Sequence, residues 1–299
     1  MAEFLEGVLK VAVLVFVVTC MAAAGLGLSA QALVAPFRRP RLVLAAVVAN
    51  FVVAPALAYG LTELVKLDRP HAIGLLLLAG AAGAPFLPKL AELAKGDLAF
   101  SIGLVLLLTA GSAVFMPFVL PRLMPELSAE PWPLLQPLLF TMLLPLAAGM
   151  VVKNQFEHRS ARLRLVLTRV SNISMVLTVV LLVGLNSRAI LGTFGSGAVA
   201  VAMVFVALAT AAGFALGGPT ADTRSVLALG TGQRNVAAAL LVATQNFPDE
   251  PGVVVMLLVS TLAGLVVLLP AGRWFARRAS EVIEPRSVPI PVSLEERQP

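Results

Sequence analysis

Two polar interruptions of otherwise apolar sequence hold the residues that could do chemistry in this chain. The first reads Gly83-Ala84-Pro85-Phe86-Leu87-Pro88-Lys89 and the second Gly230-Thr231-Gly232-Gln233-Arg234-Asn235. Neither carries a catalytic spacing: the sequence has no nucleophile–base pair, phosphate loop or carboxylate dyad, so no enzyme is read. Binding is the chemistry they offer. Arg234 places a permanent charge inside an apolar run, where insertion costs at least about 2.5–3.5 kcal/mol unless the group faces a partner or a watery cavity. Pro85 and Pro88 each remove a backbone donor and clash with the preceding turn. Backbone freed at that depth must be buried in protein or line a cavity. The expected site is therefore a crossing region built from Pro85, Leu87, Pro88, Lys89, Gly230, Thr231, Gly232, Gln233, Arg234 and Asn235.

These residues need a scaffold, and the composition says what kind. Hydrophobic residues make up 59% of the 299 positions and charged residues only 13%, about half the charged share of a soluble domain. The apolar residues come in runs of about 20, the length that crosses a bilayer as a helix. The shorter alternating segments of a transmembrane barrel are absent. A net charge of +6 could suggest nucleic acid, but the basic residues fall in the connections between runs, the pattern of membrane topology. Cys20, the single cysteine, lies in an apolar run and is read as a core residue. The start of the chain lacks a basic n-region, so the first run is read as a retained helix.

Nine transmembrane helices are expected: Val8–Leu28, Leu42–Val65, an interrupted Ile73–Ala94, Leu98–Leu120, Trp132–Val152, Leu165–Leu185, Ile190–Leu216, Ser225–Phe247 and Val253–Phe275. With the N-terminus outside, sixteen lysines and arginines fall on the cytoplasmic side and five on the other. That asymmetry orients the chain in a bacterial inner membrane with a cytoplasmic C-terminus. The tail, 279–299, is read as disordered from its prolines and acids. The breaks fall in the third and eighth helices, at matching places of two four-helix sets separated by the fifth. Such sets have opposite orientations, and matched broken helices in inverted halves point to a transporter's midplane site.

The remaining polar residues are assigned lesser roles. Lys89 is read either as a second fixed cation or as a snorkelling side chain, with Glu92 on the same face able to pair with it. Asp97 is read as the N-cap of the fourth helix. His71 and His158 fall on opposite sides of the membrane and are read as surface residues. Ser171, Asn172 and Ser174 are read as interhelical hydrogen-bonding groups.

The same stretches resemble the bile acid:sodium symporter family. The resemblance lies in Arg39-Pro40-Arg41 with Ala49-Asn50-Phe51 and Pro55-Ala56, in Leu93-Ala94-Lys95-Gly96-Asp97-Leu98-Ala99-Phe100-Ser101, and in Gly232 through Leu240. It implies an all-α membrane fold with crossed broken helices, and a panel domain beside a core domain. The panel would comprise 1–29 and 131–187, and the core 39–123 and 188–278. It also implies sodium ligands, and here the chain departs from the pattern. Leu87-Pro88 stand in place of a serine–asparagine pair and Val105 in place of a threonine. Gly230 stands in place of a bridging glutamate, Arg234 and Asn50 in place of glutamines, and Ser101 alone is retained. A sodium ion 4 Å from Arg234 would be repelled by about 4 kcal/mol at an effective dielectric near 20.

The expectation is thus a secondary transporter of a small organic anion or amphipath, working by alternating access without classical sodium coupling. No cofactor is expected; the partners are the bilayer and the solute, and the unit is a single chain. Sodium-dependent bile-acid-type symport is the alternative within transport, and a non-transporting membrane scaffold or sensor the alternative of another class.

Overall fold

The computed structural model describes residues 2–28, 39–123, 138–185 and 196–283, with residues 132, 136 and 193. All regular structure among the described residues is helical, as expected where hydrocarbon leaves each backbone group to be satisfied within its own segment. In chain order the helices are α1 (Ala2–Leu26), α2 (Pro40–Val65), α3 (Arg69–Gly80), α4 (Leu87–Leu93), α5 (Leu98–Leu123) and α6 (Leu144–Gln155). They continue as α7 (Glu157–Leu185), α8 (Ala198–Leu216), α9 (Ala221–Gly232), α10 (Val236–Asn246) and α11 (Pro251–Ile283).

Seven described segments are long and apolar enough to cross a membrane, with α9 and α10 together counted as one. The third expected helix is not among them because its break leaves pieces of 12 and 7 residues, α3 and α4. The fifth is described continuously only from Leu138, so Trp132–Val152 lies partly outside the described residues. Several expected bounds also shift. Helix α1 begins at Ala2 rather than Val8, α7 begins at Glu157 rather than Leu165, and α8 begins at Ala198 rather than Ile190. Helix α11 runs on to Ile283, past Phe275 and into the expected disordered tail, whose remainder lies outside the described residues. The extensions of α1, α7 and α11 are charged helix ends, which an apolar window does not count, whereas α8 starts after Gly197, and of 190–195 only residue 193 is among the described residues.

Prolines shape two helices by a common device. In α2 the stretch Ala49–Val53 widens into a π turn, and a second π turn, Leu139–Leu143, leads into α6. Each ends two residues before a proline, Pro55 and Pro145, whose missing N–H breaks the regular ladder. Helix α1 packs mainly on α6 and α7, while α8 packs on α9 and α11, and α3 on α11. Gly25 and Gly149 bring α1 and α6 into backbone contact: a Cβ on either would collide with a carbonyl of the other helix.

The connections group at two ends. Arg39 pairs with Asp97 at 2.9 Å, Gly96 abuts Ser225, and Gly218 abuts Leu42. At the opposite end Arg69 pairs with Glu250 at 3.3 Å and His71 reaches Thr193 at 3.2 Å. His71 is therefore not a surface histidine: it is buried, with Nδ1 on Asp68 at 2.6 Å. The side chain of His158 lies outside the described residues.

Candidate functional site

The first break begins where α3 ends at Gly80 and the chain extends through Ala81–Ala84. Four backbone groups of that stretch are held by side chains or by the second break. Ser112 of α5 accepts from the Ala82 N–H at 2.7 Å and donates to its carbonyl at 3.0 Å. The Gly83 carbonyl accepts from Thr109 Oγ1 at 2.9 Å and from Asn235 Nδ2 at 3.2 Å. The Ala81 carbonyl accepts from the Asn235 N–H at 2.7 Å. Gly83 has φ of 83°, and a Cβ there would collide with the Thr109 backbone N–H group, so the position demands glycine on both counts.

The second break is Gln233-Arg234-Asn235, between α9 and α10. Asn235 caps α10 by accepting from the Ala238 N–H, so one of the amides at that half-helix N-terminus is already engaged. Arg234 points back into the first break and is 5% exposed. Its Nε donates to the Leu78 carbonyl at 3.2 Å, and Nη1 to Asn50 Oδ1 at 2.8 Å and to the Thr231 carbonyl at 3.2 Å. Nη2 donates to the Asn50 carbonyl at 3.4 Å and to the Ala79 carbonyl. All five guanidinium N–H groups have an acceptor. No ion pair among the described residues includes Arg234.

The supply of these acceptors follows from local geometry. Leu78, Ala79 and Thr231 lie in the last turns of α3 and α9, where carbonyls carry the negative end of the macrodipole and many lose their helical partners; the Leu78 carbonyl is shared with the Ala81 N–H at 3.0 Å. The Asn50 carbonyl is freed by the π turn: the Ala54 N–H bonds to Ala49 instead, and residue 55 is a proline without a donor. The Asn50 side chain is fixed through Nδ2, which donates to the Ala46 carbonyl at 3.0 Å and to Thr231 Oγ1 at 3.3 Å.

The other positions singled out in the sequence do not gather around a charge. Leu87 and Leu104 fill the space beside Gly230, where a Cβ would sit 3.0 and 3.1 Å from their methyl carbons. Val105 is buried, and Ser101, also buried, donates to the Leu98 carbonyl at 2.8 Å. Pro85 and Pro88 are half-buried. Lys89 is exposed and makes no ion pair with the exposed Glu92 among the described residues, as a snorkelling side chain would be. Asp97 does cap α5, accepting from the Phe100 N–H at 2.9 Å. Asn172 is exposed, whereas Ser171 and Ser174 are buried, and only Ser171 has a described cross-helix bond, to the Phe16 carbonyl at 3.5 Å.

Beside the clamp lies a cavity of about 80 Å³, bordered by Phe86, Gln233, Arg234, Ser260, Thr261 and Leu265. Two polar atoms in this group, Gln233 Oε1 and Ser260 Oγ, are buried without a hydrogen-bond partner. Such orphans each cost about 1–3 kcal/mol unless something pairs with them. Sequence reasoning missed Ser260, Thr109 and Ser112. Thr109 and Ser112 were visible as two hydroxyls on one face of an otherwise apolar run, whereas Ser260 and the adjacent Thr261 point to different sides of their helix and nothing in the sequence says that both border a cavity. No group of His, Cys, Asp and Glu suited to a metal exists among the described residues.

Apolar helices of bilayer length, interrupted by two breaks that hold one another through hydrogen bonds, define a multi-pass membrane protein of the transporter class. The chain belongs to the Sodium Bile acid symporter family, whose model matches residues 13–193. That places it among membrane symporters and transporters. Comparison with curated proteins gives no match.

Proposed function

We propose that this chain is a secondary transporter of small organic anions or amphipaths that works by alternating access and without sodium coupling. The observation that carries the reading is the Arg234 clamp. Its five donors occupy the kind of freed carbonyl and amide oxygens that a hard cation would need. Arg234 is on this reading a resident cation that ties together the C-termini of two half-helices, the role an added ion fills in sodium-coupled relatives. The residues present do not suit sodium. The space beside Gly230 is filled by Leu87 and Leu104, the Ser101 hydroxyl is engaged elsewhere, and a second positive charge beside Arg234 would be repelled.

The cavity supports the substrate class. A solute's acidic group next to Arg234 would provide the counter-charge that the protein lacks there, and could accept from Ser260. About 80 Å³ admits a head group and not a steroid body, so the rest of the solute would lie outside, against Phe86 and Leu265, both exposed at 47%. The nine-helix count, the inverted four-helix repeats, the panel (1–29 and 131–187) and the core (39–123 and 188–278) belong to the same proposal, as do an outside N-terminus and a cytoplasmic C-terminus.

Flux of labelled organic anions into proteoliposomes, run in sodium and in choline, tests the reading. Equal rates are expected. Uptake that needs sodium would return the chain to ordinary sodium symport, and no uptake of any anion that binds would make it a scaffold.

A further inference from the structure

Helix α7 is the most exposed of the long apolar helices among the described residues, with only 11% of its apolar window buried. Its one buried stripe, Ser160, Ser171, Ser174 and Thr178, faces the remainder of the molecule. On the far side, Arg159, Arg162, Val166, Arg169, Ile173, Val176 and Val180 share an arc of about 100° at helical periodicity. All seven are exposed. The stripe is basic over its first three turns and apolar beyond, and its apolar part can only face hydrocarbon. None of the three arginines has a side-chain ion pair or hydrogen bond among the described residues.

Length sharpens the problem. From Arg169 to Leu185, the last apolar residue before Asn186-Ser187-Arg188 in the sequence, the helix rises only about 24 Å, less than the ~30 Å of a hydrocarbon core. Arg169 therefore sits at the edge of the hydrocarbon and must extend toward the interface, where Arg162, two turns below on the same face, is at headgroup level. Two guanidinium groups, spaced vertically along one helix face and continuous with a hydrocarbon-facing stripe, match a phosphate with an acyl chain above it.

We propose that the Arg159–Arg162–Arg169 face of α7 is a binding site for an anionic phospholipid, the headgroup phosphate being held by Arg162 and Arg169 and the acyl chains lying along Ile173, Val176 and Val180. A second copy of the chain is disfavoured on this face, because a two-fold contact would set like charges against each other. The site is independent of the proposed transport activity.

The test uses the whole protein, reconstituted in nanodiscs of phosphatidylcholine with a minor fraction of phosphatidylglycerol and released for native mass spectrometry. Wild-type protein should retain phosphatidylglycerol over phosphatidylcholine. Each arginine changed to glutamine should lower that retention about fivefold, so that R162Q/R169Q lowers it about 25-fold. The R162K/R169K variant should retain most of it, which separates charge from folding. Equal retention of the two lipids, an unchanged preference in R162Q/R169Q, or a dimer that dissociates in that variant would each overturn the proposal.

Discussion

A guanidinium carries five N–H donors in one plane, and at Arg234 each finds an oxygen from α2, α3 or α9. Removing that group leaves buried acceptors without partners at about 1–3 kcal/mol each. We therefore expect Arg234→Gln to lose several kcal/mol of stability and all transport without acquiring sodium dependence, read by thermal unfolding in detergent and by flux in sodium and choline. Arg234→Lys keeps the charge but has three donors on a single atom, so its unfolding temperature should fall between the two. Restoring a carboxylate at position 230 is not a one-residue change. A side chain there meets Leu87 and Leu104, and Gly230→Glu should destabilise by overpacking and by placing a charge in an apolar pocket. Adding Leu87→Ser makes room for it. Sodium-stimulated binding is expected only when Gly230→Glu, Leu87→Ser and Arg234→Gln are combined, and stimulation by Gly230→Glu alone would show that the pocket is not dry.

At the scale of elements, the breaks were legible because proline and glycine announce them, and the crossing partners were not. Nothing in the sequence says that Thr109 and Ser112 serve the carbonyls of Ala82 and Gly83 rather than their own helix. Hydroxyls in apolar helices commonly bond backward along the chain, as Thr210 and Thr231 do here. The π turn of α2 was equally hidden: Pro55 predicts a disturbance, but only the fold shows that the freed Asn50 carbonyl faces Arg234. Between the two readings of Lys89, fixed cation or snorkelling side chain, the sequence has no means of choosing, because position along a broken helix does not give depth in the fold. Lys89 lies on the outer face of a seven-residue half-helix. Two substitutions probe this layer. Gly83→Ala combines a left-handed φ with a collision against α5, and should lower stability by more than about 2 kcal/mol. Thr109→Val removes one of two donors to the Gly83 carbonyl and should cost about 1 kcal/mol. Comparable losses in the two variants, measured by thermal unfolding, would show that the backbone conformation at Gly83 is not the constraint.

At the scale of the whole molecule, the two ends can be distinguished before any membrane is considered. One end collects Arg39, Asp97 and the 218–225 turn, and the other collects Asp68, Arg69, His71 and Glu250. The first end holds more basic than acidic residues: Arg41, Lys95 and Arg224 lie in or beside its connections. By the positive-inside rule we propose that it is the cytoplasmic one. Helix α11 ends on that side, since its Phe275 stacks on Phe214 at 5.5 Å, just before the 218–225 turn. The proposed nine crossings then put the start of α1 on the opposite side, the arrangement expected when a single helix separates two inverted four-helix sets. Single cysteines at Phe4, which is 73% exposed, and at the exposed Arg277 test this directly. They should be placed in a Cys20→Ser background, because Cys20 is the chain's one native thiol. A membrane-impermeant maleimide applied to intact cells should label Phe4→Cys and spare Arg277→Cys, with the pattern reversed in inside-out vesicles. Labelling of both positions from one side would mean an even number of crossings. In that case the nine-helix count would fall, and if the lost crossing is the fifth helix, the two breaks would lie in parallel rather than inverted halves and the Arg234 clamp would be a packing device in a fold without the proposed two-fold relation.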